Sequence, residues 1–204
     1  MADLHEALRD FLPPVASPNG FEDRSGPRTR PIDWYLALVA DLESQPTAGD
    51  PGWSWMRDRL TELDASLSAA DLSRTVIHGD FGPYNILLRD GRAPLVIDFE
   101  LARVDWRLTD LATALPRFSE RRAGFDRGAA LRVLEGYLDR AALPSAELEQ
   151  MPSVLEFLAL RRAIVCMHRH RSTGDDAWLR QAHERLAVVH RLASGVHPLA
   201  RLAA

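Results

Sequence analysis

The chain contains no lysine, all 25 of its basic residues being arginine. Several enzyme classes are thereby excluded. A Walker A loop needs its lysine on the phosphates, a β-lactamase-type Ser-x-x-Lys needs its own, and Schiff-base chemistry needs a lysine amine. Cysteine is nearly absent too: Cys166 stands alone, so no disulfide closes within the chain and a reducing cytoplasm is the expected location. Met1-Ala2-Asp3-Leu4-His5-Glu6 lacks a basic segment followed by an apolar one, and no apolar run reaches membrane-spanning length. Secretion and membrane insertion are therefore not expected. Positive charge is not in excess either, with 25 basic against 29 acidic side chains and a net charge of −4. This balance argues against a nucleic-acid or polybasic membrane surface and favours small-molecule or protein partners. Heavy use of Ala and Arg without Lys suggests a GC-rich, bacterial coding sequence.

What is present is a chain of 204 residues, 46% hydrophobic, long enough for one globular domain with a sizeable core. Residues 4–12 read as a short amphipathic helix stopped by Pro13-Pro14, and 17–31 as a long surface loop without apolar period. Residues 32–42 and 53–67 carry apolar side chains at three- and four-residue spacings and predict helices. Three short runs, 75–77, 86–88 and 94–97, predict strands. Asp90-Gly91 supplies turn chemistry between the last two, so 86–97 should form a β-hairpin. Helices return at 109–115, 127–141, 146–170 and 175–193, with breaks at Pro144 and Gly174. The expected fold is mainly α with a small β-hairpin, α+β in class. It forms a single domain over 1–204: a helical lead-in (1–72), a central loop and hairpin (73–100), and a helical remainder (101–204).

Polar residues suited to chemistry concentrate around that hairpin, in His78-Gly79-Asp80-Phe81-Gly82-Pro83-Tyr84-Asn85 before it and Ile97-Asp98-Phe99-Glu100 at its end. A hairpin folds the chain back on itself, which brings Asn85 and Asp98 to the same end of adjacent strands. An amide oxygen and a carboxylate suit a hard cation such as Mg²⁺, which takes further ligands from water and phosphate. Asp80, five residues before Asn85, is placed to face a hydroxyl brought to such a site. Taken singly, each of these residues equally suits a turn or a helix cap.

His-Gly-Asp-x-x-x-x-Asn, a hairpin and Ile-Asp-Phe-Glu together resemble the catalytic core of the aminoglycoside phosphotransferase and choline kinase family, relatives of the protein kinases. Asp110-Leu111-Ala112 is similar to that family's downstream Asp-Leu-Ala. The resemblance implies the C-terminal lobe of a protein-kinase-like fold and transfer of the γ-phosphoryl of ATP to a small-molecule hydroxyl. Asp80 would be the catalytic base, Asn85 and Asp98 the Mg²⁺ ligands, and His78 and Asp110 supports of the loop. Gly79 stands where protein kinases carry Arg, which removes the partner of a phosphorylated activation loop. The acceptor is left open among aminoglycosides, other antibiotics, choline-like alcohols and sugar-type metabolites.

The family's N-terminal β-lobe, with its Gly-rich loop and nucleotide lysine, has no counterpart here. Leu4-His5-Glu6-Ala7-Leu8 already resembles the helix that follows the interlobe hinge. Three explanations stand. The N-lobe comes from a partner chain or an upstream coding region; the chain is a non-catalytic interaction module; or the lobe works unaided with arginines holding phosphate. The first predicts apolar surface left exposed by the missing lobe, and association into a homodimer or a complex with it.

Other features are read more plainly. On a helix, Cys166 and His168 point about 200° apart at ~100° per residue, so residues 166–170 predict core packing rather than a metal site. His183 and His190 share a helical face but lie about 10 Å apart at ~1.5 Å per residue, too far for one ion. Asp126, Glu135, Asp139, Glu156, Asp175 and Asp176 are acidic side chains available to an amine-bearing acceptor. Of the five tryptophans, Trp106 is the one placed to line an acceptor cleft.

Overall fold

The computed structural model describes residues 1–7, 32–45, 52–121 and 124–201. Most of the predicted helix over 4–12 and the predicted loop over 17–31 lie outside these residues. The chain divides into two compact units, one of residues 1–25, 71–151 and 201–204, the other of 26–70 and 152–200. Among the described residues no helix is long and apolar enough to cross a membrane.

The first unit is organised by a two-stranded ladder. β1 (Arg74–Ile77) pairs antiparallel with β4 (Arg103–Trp106), Ile77 opposite Arg103 and Arg74 opposite Trp106. Everything between these strands is an excursion from the ladder. It runs through residues 78–82, a 3₁₀ turn at Pro83–Asn85, β2 (Ile86–Leu87) and β3 (Leu95–Val96). β2 and β3 pair Ile86 with Val96 and Leu87 with Leu95, which is the predicted hairpin. Arg92 N–H donates to the Arg89 carbonyl (3.1 Å) across Asp90-Gly91, and Gly91 takes the positive φ of 66° that this turn requires. A second turn, closed by Ala102 N–H on the Phe99 carbonyl (3.0 Å), returns the chain to β4.

The strand β4 was not expected from the sequence. Arg-Val-Asp-Trp alternates charged and apolar residues over four positions only, and tertiary pairing with the strongly apolar β1 recruits it. A third small ladder, β5 (Glu120–Arg121) with β6 (Gly124–Phe125), was likewise unexpected. Among the described residues two further two-stranded ladders thus accompany the predicted hairpin.

Helix α1 (Ala2–Ala7) contacts β1, while α4 (Arg107–Ser119) packs against β1, β4 and α5 (Arg127–Leu138). Leu108, Leu111 and Leu115 of α4 are buried at three- and four-residue spacing, as are Ala130, Leu134 and Tyr137 of α5. Asp126 caps α5 by accepting from Ala129 N–H (2.9 Å). The helix expected over 146–170 is two helices, α6 (Ser145–Leu148) and α7 (Met151–Thr173). Pro152 has no N–H to give the Leu148 carbonyl, so the first helix closes before it.

In the second unit α2 (Ile32–Ser44) and α3 (Trp53–Ala69) pack together through Tyr35, Val39 and Leu42 and through Met56, Leu60, Leu63 and Leu67. Polar links tie α7 to them. Arg59 donates two bonds to Glu156 (2.6 and 2.7 Å), and Arg171 donates to the Leu42 carbonyl (2.6 Å). Helix α8 (Asp176–Ala193) follows Gly174, whose φ of +70° ends α7, and is capped by Asp175 on Ala177 N–H (2.8 Å).

Candidate active site

The excursion between β1 and β4 carries His78, Asp80, Asn85 and Asp98 of the motif residues, and α4 brings Asp110 to it. Asp110 is fully buried in the first turn of α4, where a negative charge suits the helix dipole. Its Oδ2 accepts from His78 N–H (2.7 Å) and its Oδ1 from Gly79 N–H (2.8 Å). One carboxylate therefore satisfies two main-chain donors that burial would otherwise leave unpaired. Gly79 can be nothing larger: its φ is +80°, and a Cβ there would lie 2.2 Å from the Leu101 carbonyl oxygen and 2.5 Å from Arg103 Nη1.

His78 joins the two ends of the excursion. Its Nδ1 accepts from Asp80 N–H (3.3 Å), leaving Nε2–H to donate to the Ile97 carbonyl (2.9 Å). Its ring sits against Phe99 at 4.7 Å and meets Phe81 edge-on at 5.8 Å. Ile97 N–H in turn donates to the Asn85 carbonyl (3.0 Å), continuing the hairpin pairing and setting Asp98 immediately after it. Asp98 has a φ of +66°, the only positive φ at a non-glycine residue among the described residues. Such strain in a residue that no turn motif needs is characteristic of functional positions.

Asn85 Nδ2 donates to the Asp80 carbonyl (3.0 Å) and lies 3.4 Å from Asp80 Oδ2. Since only the amide nitrogen can donate to a carbonyl, Oδ1 is the atom left for a ligand. An Asn oxygen together with the exposed Asp98 carboxylate is a hard, all-oxygen donor pair. It is too few to enclose a cation and suited to Mg²⁺, which completes its shell from water and phosphate. His78, Asp80, Asn85 and Asp110 are thus joined directly by hydrogen bonds, and Asp98 is joined to them through Ile97.

Four further residues belong to this constellation. His5 of α1 is buried, with Nε2 on Asp110 Oδ2 (3.1 Å) and Nδ1 on the Tyr137 hydroxyl (2.9 Å). Burial raises the Tyr137 phenol above its ordinary range; Arg107 opposes this, and Asp110 and Glu147 add to it. The His5 ring bridges the Tyr137 hydroxyl and the Asp110 carboxylate. Arg103, buried beside Gly79, is held by Asp105 (2.9 Å) and donates to the Leu101 carbonyl (3.1 Å). Arg117 of α4 pairs with Asp80, its Nη2 2.5 Å from Oδ1. His5 lay in plain view in the Leu-His segment. For Arg117 the available signal was its place seven residues after Asp110, two turns along one helix face.

Several alternatives lose their candidates. Glu156 is occupied by Arg59, and Asp126 and Asp175 are helix caps. Cys166 is buried, and burial raises its thiol above the ordinary value. Among the described residues no group of three or more His, Cys, Asp or Glu could hold a metal ion. Trp106 ends β4, its N–H bound to Asp105 (2.8 Å), while Trp55 stacks on His190 at 4.9 Å. On the hairpin side, Leu87, Leu95 and Phe99 are exposed, and Tyr84 and Leu88 strongly so, at 72% and 81%.

Comparison with known proteins agrees with this geometry. The profile of the phosphotransferase enzyme family matches residues 1–149. A homoserine kinase of Granulibacter bethesdensis is 30% identical over 197 residues, 94% of this chain and 57% of that protein. One of Gluconobacter oxydans is 30% identical over 157 residues, 74% of this chain and 49% of that protein. The chain thus spans about half the length of these relatives. Among solved structures, an ethanolamine kinase of Plasmodium vivax superposes with a TM-score of 0.68 at 15% identity, covering 95% of this chain and 59% of that one. The choline kinase LicA of Streptococcus pneumoniae gives 0.61 at 14%, covering 95% and 62%. These likenesses show the fold, which is the kinase-like arrangement expected from the motifs.

Proposed function

The chain belongs to the phosphotransferase enzyme family, and from that premise we propose that it carries the transfer half of an ATP-dependent kinase for a small-molecule hydroxyl. The observation that carries this reading is the joining of His78, Asp80, Asn85 and Asp110 in one hydrogen-bonded unit, with Asp98 strained at its edge. Mg²⁺-bound ATP supplies the phosphoryl group and the neutralising charge. Asp80 orients the acceptor hydroxyl and takes its proton. Asn85 Oδ1 and the Asp98 carboxylate hold the metal. Asp110 and His78 keep the loop in place, the former through the amides of residues 78 and 79, the latter through Ile97.

The acceptor we propose is a short amino alcohol. Homoserine, choline and ethanolamine, named in the relatives described above, share a primary hydroxyl a few bonds from a cationic nitrogen. The lobe that covers the nucleotide comes from outside the span of this chain, as a separate polypeptide or an upstream segment. The exposed apolar side chains of Tyr84, Leu87, Leu88, Leu95 and Phe99, all carried by the hairpin and its flanks, support this, since apolar side chains left exposed together mark a place for a partner. The same exposed side chains also suit a second reading, an interaction module without turnover.

Translating the DNA upstream of Met1 in three frames identifies the candidate lobe by a Gly-rich strand pattern and a lysine. Co-expression with this chain should then give Mg²⁺- and ATP-dependent phosphorylation of an amino alcohol. Asp80→Ala and Asp98→Ala should each abolish it, by about 10³-fold or more. Near-normal turnover in either variant contradicts the proposal, and a biological effect that survives both substitutions selects the interaction module.

A further inference from the structure

Asp110 and Arg117 lie seven positions apart on α4, about 10.5 Å at ~1.5 Å per residue and on one helix face. They grip the same loop with opposite polarity. Asp110 accepts from the main-chain N–H groups of His78 and Gly79. Arg117 donates onward: Nη1 to the Asp80 carbonyl (2.7 Å), with the Phe81 carbonyl at 3.5 Å, and Nη2 to Asp80 Oδ1 at 2.5 Å. The side chain lies across Gly82, where a Cβ would stand 2.9 Å from Arg117 Cδ and 3.2 Å from Nη1. Loop residues 78–82 are therefore laid along two turns of α4 and fastened at both ends.

From this geometry we infer that Arg117 is a positioning residue of the transfer site, fixing the orientation of the Asp80 carboxylate toward the acceptor hydroxyl. This rests on the role proposed above for Asp80. One guanidinium holds both the main-chain oxygen and Oδ1 of the same residue, so the carboxylate cannot rotate about its χ angles without breaking the pair. Oδ2 stands 3.4 Å from Asn85 Nδ2, so the same carboxylate links the Arg117 anchor to the Asn85 side of the site. The fork of an arginine is what the arrangement needs, because a lysine is a single point of charge and cannot serve two acceptors in fixed directions. The pair is half-buried, with side-chain exposures of 20% and 26%, so water competes only partly for it.

Amide hydrogen exchange in the full chain, without ligand, tests the anchor independently of turnover. Arg117→Met should speed exchange at Gly79, Asp80 and Asn85 by about tenfold or more, with α8 unchanged as a control for folding. Arg117→Lys should give a smaller increase, and it carries the comparison if the Met variant does not fold. Loop exchange equal to wild type in a folded variant overturns the assignment. In an assembly that transfers phosphate, Arg117→Met should lower kcat by about 10²-fold, the effect of roughly an ångström of misplacement, with the KM for ATP within about twofold. It should have no further effect in an Asp80→Asn background, whereas an equal additional loss there overturns the inference. Failure of every assembly to transfer phosphate would count against the role of Asp80 alone, while exchange still decides whether Arg117 anchors the loop.

Discussion

Gly79 is the residue at which the site tolerates least. Its positive φ alone disfavours any side chain by ~1–2 kcal/mol, and the Leu101 carbonyl occupies the place a Cβ would take. Gly79→Ala should therefore lower stability by at least ~2 kcal/mol in urea unfolding, and a variant of wild-type stability would contradict the packing described. Asp80, Asn85 and Asp98 could be read from the sequence because their spacing is local: one loop and one hairpin bring them together. Arg117, Arg103 and His5 could not be assigned so, because each reaches the loop from another element. His5 acts through Asp110, Arg103 through the Leu101 carbonyl and Arg117 through Asp80, contacts that leave no local pattern in a sequence. Arginine in a chain where every cation is arginine is also a weak signal, and only the two-turn offset from Asp110 distinguishes Arg117.

The helices and the strands β1, β2 and β3 were legible because their signals were local, whereas β4, β5 and β6 were not. Helix α8 ends as its sequence suggests. Gly195 takes a φ of +68° and donates to the Leu192 carbonyl (2.9 Å), and Val196 N–H donates to the Arg191 carbonyl (3.0 Å), a Schellman closure. By contrast β4 exists only because β1 needs a partner, and the break between α6 and α7 depends on one proline. Just past α8, His197 is buried with Nδ1 accepting from Leu199 N–H (3.1 Å), and burial, reinforced by Arg191, holds its imidazole below the ordinary value of 6.5. Above about pH 6.5 the ring is neutral in folded and unfolded chains alike. As pH falls below that, the unfolded chain takes up the proton first, so stability is lost down to the lowered folded value. His197→Asn keeps an acceptor for Leu199 and removes the titration. Its Tm should fall less between pH 7 and 5 than that of wild type, and parallel curves would contradict the assignment.

For the chain as a whole, the motifs in a 25-residue stretch, from His78 to Ala102, sit between two paired strands and are braced chiefly from α4. The bracing residues 5, 103, 110, 117 and 137 all belong to the same compact unit as the loop. The central claim is that Asn85 and Asp98 hold the metal of a metal–nucleotide complex. It is tested most directly by thermal unfolding of the co-expressed assembly of this chain and its nucleotide-covering lobe, with and without millimolar Mg²⁺–ATP. Ligand at about ten times its Kd adds ~1.4 kcal/mol, which raises Tm by roughly 3–6 °C for a chain of this size. The account predicts such a rise for wild type and for Asp80→Ala, and its loss in Asp98→Ala. No rise in wild type, or a rise untouched by Asp98→Ala, would contradict it.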